Sequence, residues 1–294
     1  MKRSTFLSIL GLSPILFSMK CLQDVGAWSD KLPNTARMPV LFLGHGSPMN
    51  AIEENQFVAG FRNIAQTLPL PNAILCISAH WFTKGTKVTA MPKPRTIHDF
   101  GGFPKALYEV QYPAPGNPEL AALTKQLLDP TLVELDEKWG LDHGAWSVIK
   151  HLYPNADVPV IQMSIDYSQP AQYHYELAQK LSALRHKGIL IIGSGNIVHN
   201  LGLVDFQNFD KDNYGYDWAI EARETMNGYL VDGNYQPLIQ FEKQGKAIQL
   251  AIPTPDHYLP LIYTLGLQEK GENLTLFNDK LLAGSLSMTS VKIA

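Results

Sequence analysis

The sequence contains little cysteine and no concentration of charge. Only two of its 294 residues, Cys21 and Cys76, are cysteines, which excludes a disulfide framework and a zinc site built from cysteines. The formal charge is −3 and no basic stripe is present, so we expect no nucleic-acid partner. Internal repeats, low-complexity tracts and long charge runs are also absent, as is typical of an ordinary globular chain.

The beginning of the chain has the layout of a secretory signal. Lys2 and Arg3 precede an apolar stretch, and the small residues of VGA (25–27) offer a cleavage point. This stretch is too short and too interrupted by proline for stable membrane insertion. The pattern favours export, and the alternative is an extension on a cytoplasmic protein. We therefore divide the chain into a signal peptide at 1–27, a linker at 28–37 and one domain at 38–294.

Apolar runs alternate with helical patterns along this domain. Five short runs predict buried strands, at 39–44, 73–79, 158–165, 188–194 and 247–253. Helical patterns occupy 117–129, 170–188, 217–233 and 256–266. The alternation predicts a single α/β domain with a central, largely parallel (mixed) sheet flanked by helices.

Four of the nine histidines follow apolar runs that are predicted to be strands. They are His45, His80, His199 and His257. Because open α/β sheets collect ligands at the carboxyl ends of their strands, these imidazoles are expected to meet at one edge of the sheet. Imidazole suits iron, zinc and copper, so the pattern predicts a metal site there. Gly44 and Gly46 would allow a metal or substrate to approach the backbone beside His45, and GSGN (193–196) reads as a turn.

The remaining histidines have less regular surroundings. His143, in the glycine-containing DHGAW (142–146), and His98, in TIHDFGGFP (96–104), are candidates for lining a pocket. Three more are predicted to be solvated on helices, namely His151, His174 and His186. Aromatic residues beside the histidines would suit a flat substrate or ordinary core packing, namely Trp81, Phe100, Phe103, Trp146 and Tyr258. Serine hydrolase chemistry is disfavoured because G-x-S-x-G is absent and Ser47-Pro48 reads as a helix start.

Six motifs together resemble a known family. In chain order they are LFLGHGSPMN, SAHWF, TIHDFGGFPKALY, DHGAW, SGNIVHNL and TPDHYLPLIYTLG. They resemble the extradiol ring-opening dioxygenases of the LigB-like class, specifically the DODA-type (4,5-DOPA dioxygenase) group. The resemblance runs from about Met38 to the end of the chain.

The resemblance implies a catechol dioxygenase that opens the ring of a substrate such as L-DOPA with both atoms of O2, giving a 4,5-seco-DOPA type product. It implies one divalent metal ion, Zn2+ or Fe2+, on His45, His80 and His257. His199 would be the active-site base or a fourth metal ligand, and His143 would line the substrate pocket and take part in catalysis. The partners would be an aromatic diol and O2, while the oligomeric state stays open.

One departure from the wider class leaves the chemistry open. Better-known members of that class hold Fe(II) with two histidines and a glutamate, whereas this chain offers His257 in the third position, as in the DODA-type group. An all-histidine site suits zinc, which is redox-inert. A zinc hydrolase using the same residues therefore remains an alternative, as does a non-catalytic binding module resembling the Memo proteins.

Overall fold

Ten strands and ten α-helices form the part of the chain, residues 35–209 and 211–294, that our computed structural model describes. The strands are β1 Val40–Gly44, β2 Ala73–Thr83, β3 Thr86–Thr89, β4 Val133–Asp136, β5 Val160–Asp166, β6 Ile189–Gly195, β7 Leu274–Phe277, β8 Leu281–Leu282, β9 Leu286–Ser287 and β10 Ser290–Ile293. The predicted signal peptide and residues 28–34 of the predicted linker lie outside the described residues.

The helices complete the alternation. They are α1 Gln56–Ala65, α2 Lys105–Tyr108, α3 Pro118–Leu127, α4 His143–Leu152, α5 Ala171–Gln179, α6 Ser182–Arg185, α7 Asp217–Val231, α8 Gln236–Ile239, α9 Lys246–Ala251 and α10 Leu259–Gly266. None of the helices within the described residues is long and apolar enough to cross a membrane.

Eight strands form one mixed sheet in the order β4-β3-β5-β2-β6-β1-β10-β7. The four central strands, β5, β2, β6 and β1, are parallel to one another, while β10 pairs antiparallel with β1 and β3 pairs antiparallel with β5. The carboxyl ends of the central strands therefore lie along one edge, where an α/β sheet places its ligands.

The central strands are buried on both faces. Val40 and Phe42 of β1 pack into one apolar core with helices α3, α5, α7 and α10, whereas Leu41 and Leu43 pack into a second core with α1 and α4. Successive side chains of a strand point to opposite faces, so a continuous apolar run satisfies both cores. The single-domain α/β prediction is confirmed, with helices on both faces of the sheet.

One predicted strand is wrong. The run at 247–253 forms helix α9, in which Ala247, Ile248 and Ala251 are buried while Gln249 is exposed. This spacing matches one face of a helix, and a short apolar run does not by itself distinguish a strand from a buried helix. The pattern at 170–188 also divides into α5 and α6.

Two histidines predicted to be solvated are buried instead. His151 is 8% exposed, with Nε2 2.7 Å from the Asn50 carbonyl oxygen, and His174 is fully buried with Nδ1 2.8 Å from the Tyr263 hydroxyl. Each imidazole lies on the core side of its helix, where one polar contact offsets part of its desolvation. His186 is exposed as expected, and Cys76 is a buried free thiol.

Candidate functional site

Three imidazoles converge at the carboxyl edge of the central strands. His45 directly follows β1, His80 lies in the outer half of β2, and His257 lies in the loop before α10. One ring nitrogen from each lies within 4.8 Å of those of the other two. The structure thus places a candidate metal site at the sheet edge.

His257 reaches this edge without a strand of its own. Its carbonyl oxygen accepts a hydrogen bond from the Asn196 amide at 2.9 Å, just beyond the end of β6. A Cβ on Gly195 would lie only 2.1 Å from that same oxygen. Glycine at the end of β6 therefore lets the loop carrying His257 lie directly against the strand.

The glycines beside His45 are required by packing against the C-terminal segment rather than by a ligand. A Cβ on Gly44 would lie 2.6 Å from the Met288 carbonyl oxygen, and one on Gly46 would lie 2.4 Å from the Met288 sulfur. Gly46 also has a φ of +60°, a region that favours glycine. The sequence predicts that a ligand approaches the backbone closely at these glycines. A close approach is present there, but the approaching group is the buried Met288.

The hydrogen-bond network places the proton of His45 on Nδ1. The Ser194 hydroxyl donates to the Gly144 carbonyl oxygen at 2.5 Å, which uses its single proton. His45 Nδ1 lies 3.1 Å from the same hydroxyl oxygen, so Nδ1–H must be the donor in that contact. The lone pair of the neutral ring is then on Nε2, which faces the other histidines.

A carboxylate also lies near His80. Asp99 Oδ2 is 3.5 Å from His80 Nδ1, a charge contact longer than a good hydrogen bond. We infer that this negative charge favours the proton on Nδ1, which leaves a lone pair on His80 Nε2. The register of β2 shifts between Ile77 and Phe82, and this bulge turns His80 toward the edge site.

His257 is oriented by its neighbour in the chain. Its Nδ1 lies 2.5 Å from Asp256 Oδ2. Burial raises the pKa of the Asp256 carboxyl, but the hydrogen bond and the charge interaction with His257, together with the hydrogen bond with Thr254 and a backbone hydrogen bond, lower it to about 2. The ionised Asp256 fixes the Nδ1–H tautomer of His257 and leaves Nε2 for the site.

The geometry of the three nitrogens fits one cation. Burial, followed by the neighbouring imidazoles, holds the pKa of both His45 and His80 well below the usual histidine value, so the rings are neutral. Their Nε2 atoms are 3.1 Å apart, and the tautomers inferred above leave a lone pair on each. Nitrogens bound at about 2.0–2.1 Å to one ion lie about 2.8–3.0 Å apart in octahedral geometry and about 3.3–3.4 Å apart in tetrahedral geometry. A divalent metal ion satisfies both lone pairs.

His199 lies beside this group but not within it. Its ring stacks on that of His257, with centroids 3.6 Å apart and an angle of 9° between the planes. Its backbone amide donates to the Ala251 carbonyl oxygen at 2.8 Å. Burial, with a smaller contribution from His257, lowers its pKa to about 3. The ring is therefore neutral and held by stacking.

The His143 ring packs against the ring of His80. It is the first residue of α4 rather than part of a loop, because the side chain of Asp142 caps the helix by accepting from the Ala145 amide. The ring centroids of His143 and His80 are 3.8 Å apart. Asp99 Oδ1 lies 3.1 Å from His143 Nδ1 and accepts from the His143 amide at 2.9 Å.

The aromatic candidates divide into two sets. The Phe100 ring lies 5.5 Å from His143 and flanks the site, and Phe103 packs against Phe100 at 5.4 Å. Trp81, Trp146 and Tyr258 are buried in the cores. His98 is structural, since its Nε2 lies 2.9 Å from the Val110 carbonyl oxygen within an aromatic cluster.

Sequence reasoning missed the supporting residues around the imidazoles. Asp99 contacts two of the rings, and Ser194 contacts a third. Ser194 belongs to β6, so GSGN (193–196) is mostly strand and not the expected turn. Buried Asp142, whose pKa is raised by burial and then by Asp99, caps α4. The adjacent pairs His98-Asp99 and Asp142-His143 are the only sequence signal that points to the two carboxylates.

Comparisons with known proteins agree on one family. The sequence model described as the catalytic LigB subunit of aromatic ring-opening dioxygenase matches residues 39–278. A 4,5-DOPA dioxygenase extradiol of Escherichia coli K12 is 48% identical over 90% of this chain and 97% of its own length. One of Beta vulgaris is 35% identical over 85% and 94%. The crystal structure of an uncharacterised Escherichia coli K12 protein matches with a TM-score of 0.76 at 44% identity, covering 88% of this chain and 100% of that one.

Replacing Ser194 by alanine tests the role of its hydroxyl. Ser194→Ala removes the acceptor that keeps the His45 proton on Nδ1, so we expect divalent-metal affinity to fall about 10–100-fold. Competition of the metal-free protein with a chromophoric chelator for Zn2+ measures this. The control is Ser168→Ala, which removes an exposed hydroxyl bonded to Asp166. Equal affinities for the two variants would contradict the tautomer assignment.

Proposed function

Because the chain belongs to the LigB family of aromatic ring-opening dioxygenases and is an extradiol dioxygenase of the DOPA dioxygenase type, we propose that it opens the ring of L-DOPA with O2 at an iron(II) ion held by His45, His80 and His257. The expected product is of the 4,5-seco-DOPA type. The single observation that supports the metal site most strongly is the convergence of ring nitrogens of His45, His80 and His257 within 4.8 Å of one another, with the His45 and His80 Nε2 atoms 3.1 Å apart.

The chemistry of the reaction favours iron over zinc. An all-histidine site accepts either ion. When bound, the ion supplies Lewis acidity toward both catechol oxygens and, if it is iron, the capacity to exchange electrons with O2 that redox-inert zinc lacks. We therefore propose Fe2+ as the working metal and Zn2+ as a substitute that fills the site without supporting turnover.

We assign His199 the role of general base. Its ring nitrogens make no hydrogen bond to the described residues, and stacking on His257 holds the neutral ring beside the site. An imidazole with a free lone pair, placed next to the oxygen that the site binds, accepts the second catechol proton. The same stacking keeps the His199 nitrogens outside the group of three that converge, which supports a base rather than a fourth ligand.

His143 and two phenylalanines form the other wall of the proposed substrate site. His143 lies between His80 and Phe100, with ring centroids at 3.8 and 5.5 Å. We propose that this imidazole hydrogen-bonds to oxygen atoms of the reacting substrate and that Phe100 and Phe103 contact the flat ring of the catechol. The aromatic wall also excludes water from the reacting atoms.

The alternatives raised by the sequence are less well supported than the dioxygenase. A zinc hydrolase would use the same imidazoles, but relatives named as 4,5-DOPA dioxygenases match across most of their length. A Memo-like binding module would not need three metal-ready nitrogens beside a free imidazole. The domain division is likewise proposed: a catalytic domain at 38–294, preceded by a linker at 28–37 and a signal peptide at 1–27. The family match over residues 39–278 supports the catalytic domain.

Metal replacement tests the proposed reaction. The protein purified without oxygen and stripped of metal should consume no O2 with L-DOPA, Fe2+ should restore O2 uptake with a yellow product, and Zn2+ should not. His80→Ala should abolish the iron-dependent uptake, and His186→Ala, at an exposed imidazole paired with Glu269, should retain it. Equal uptake with both metals, or none with iron and any catechol, would overturn the proposal.

Replacing His199 distinguishes base from ligand. His199→Gln should lower kcat about 10²–10⁴-fold because a positioned proton acceptor is lost, while the metal-to-protein ratio stays at that of the unaltered enzyme. Steady-state O2 uptake and elemental analysis of the same sample measure both quantities. Loss of metal in this variant would show that His199 is a ligand and that its proposed role is wrong.

A further inference from the structure

Asp99 lies between a proposed metal ligand and a proposed pocket residue. Its Oδ2 is 3.5 Å from His80 Nδ1, and its Oδ1 is 3.1 Å from His143 Nδ1. From this geometry we infer that Asp99 is a positioning residue that holds the Nδ1–H tautomer of both imidazoles. The inference deepens the proposed function, and its significance for catalysis rests on that function.

The location of Asp99 is itself fixed. Its Oδ1 accepts a hydrogen bond from the His143 backbone amide at 2.9 Å, at the first residue of α4. An unpaired amide in the first turn of a helix favours a carboxylate. The residue is exposed as a whole and its side chain is 19% exposed, so the backbone amide rather than burial fixes its position. The carboxylate is anchored by the backbone and presents one oxygen to each imidazole.

The consequence follows from the proton inventory of imidazole. A neutral ring has one N–H, and a carboxylate facing Nδ1 keeps that proton there. His80 then offers Nε2 to the metal, and His143 offers Nε2 as an acceptor on the substrate side. His143 Nδ1 makes no aligned hydrogen bond among the described residues, so the negative charge of Asp99, 3.1 Å away, is what favours a proton on this nitrogen.

The other carboxylate nearby does not share this role. Asp142 is fully buried, and its oxygens accept from Ser78 at 2.7 Å and Gln162 at 2.7 Å, as well as from the Ala145 amide. These donors leave it as a structural cap for α4. Asp99 is therefore the carboxylate that acts on the His80 and His143 rings.

A second cation on the same three residues is the competing interpretation. Ligand atoms of His80, Asp99 and His143 also lie within 4.8 Å of one another. Holding an ion there would require His80 to lose both ring protons and bridge two dications as an anion. Two rings that each turn an Nδ1–H group toward one carboxylate avoid both the charge repulsion and the deprotonation.

The isosteric variant Asp99→Asn separates these possibilities. Asparagine keeps the shape but has a single acceptor oxygen, and its NH2 group would face one of the two Nδ1 atoms. The ring facing that group must carry its proton on Nε2. Two-bond 1H–15N NMR of metal-free protein labelled on histidine reports the tautomer of each ring, with resonances assigned from His80→Asn and His143→Asn. Asp232→Asn, at an exposed carboxylate after α7, is the matched control.

In the unaltered protein and in Asp232→Asn we expect both rings as Nδ1–H, and in Asp99→Asn we expect at least one as Nε2–H. If the change is at His80, Zn2+ affinity falls about 10–100-fold; if it is at His143, kcat falls while KM and metal content change little. An Nε2–H tautomer on either ring of the unaltered protein would overturn the inference, and so would two Nδ1–H rings in Asp99→Asn.

The test depends neither on the proposed reaction nor on the folding of the variant. The NMR spectra are recorded before any catechol or O2 is added, so they judge Asp99 even if the proposed reaction is wrong. Should Asp99→Asn fail to fold, the spectrum of the unaltered protein still decides whether the two Nδ1–H tautomers exist. Titration of that protein with Zn2+ to a ratio of two ions per chain on His80 and His143 would support the second cation and contradict our assignment.

Discussion

The site depends on two lone pairs that face each other. His45 Nε2 and His80 Nε2 are 3.1 Å apart, and each ring has its proton held on the far nitrogen by Ser194 or Asp99. Burial keeps both rings neutral. Two lone pairs at this distance repel each other unless a proton or a metal ion lies between them, and a divalent ion bound by both nitrogens removes that repulsion.

The fold supplies this arrangement from parts that are distant in the chain. The parallel strands β1, β2 and β6 end at one edge, where β1 and β2 carry His45 and His80 and β6 provides Ser194 as support and Gly195 as the surface against which His257 packs. Helix α4 begins at the same edge and brings His143 and the amide that anchors Asp99. Ligands on strands and supports on neighbouring elements make the site rigid.

Sequence patterns predicted part of the site. His45 and His80 follow apolar runs that form the predicted buried strands, so their place at the sheet edge followed from topology. His257 was predicted at the same edge from a strand at 247–253 that is in fact α9. The loop carrying His257 reaches the edge because Gly195 admits it, a packing relation between residues 62 positions apart that no local pattern contains. Asp99 and Ser194 were not predicted because tertiary contacts set their partners. The burial of His174 was not predicted either, because polar neighbours in the chain do not reveal which face of a helix points inward.

The most direct test of the account is the location of a bound metal ion. Crystals of the protein loaded with Zn2+ or Co2+, measured across the absorption edge of the metal, should show one anomalous peak about 2.0–2.1 Å from Nε2 of His45, His80 and His257. His199 should lie outside the coordination sphere. A peak held by other residues, or no peak at the edge where these three rings meet, would contradict the claim that the fold assembles them around one cation.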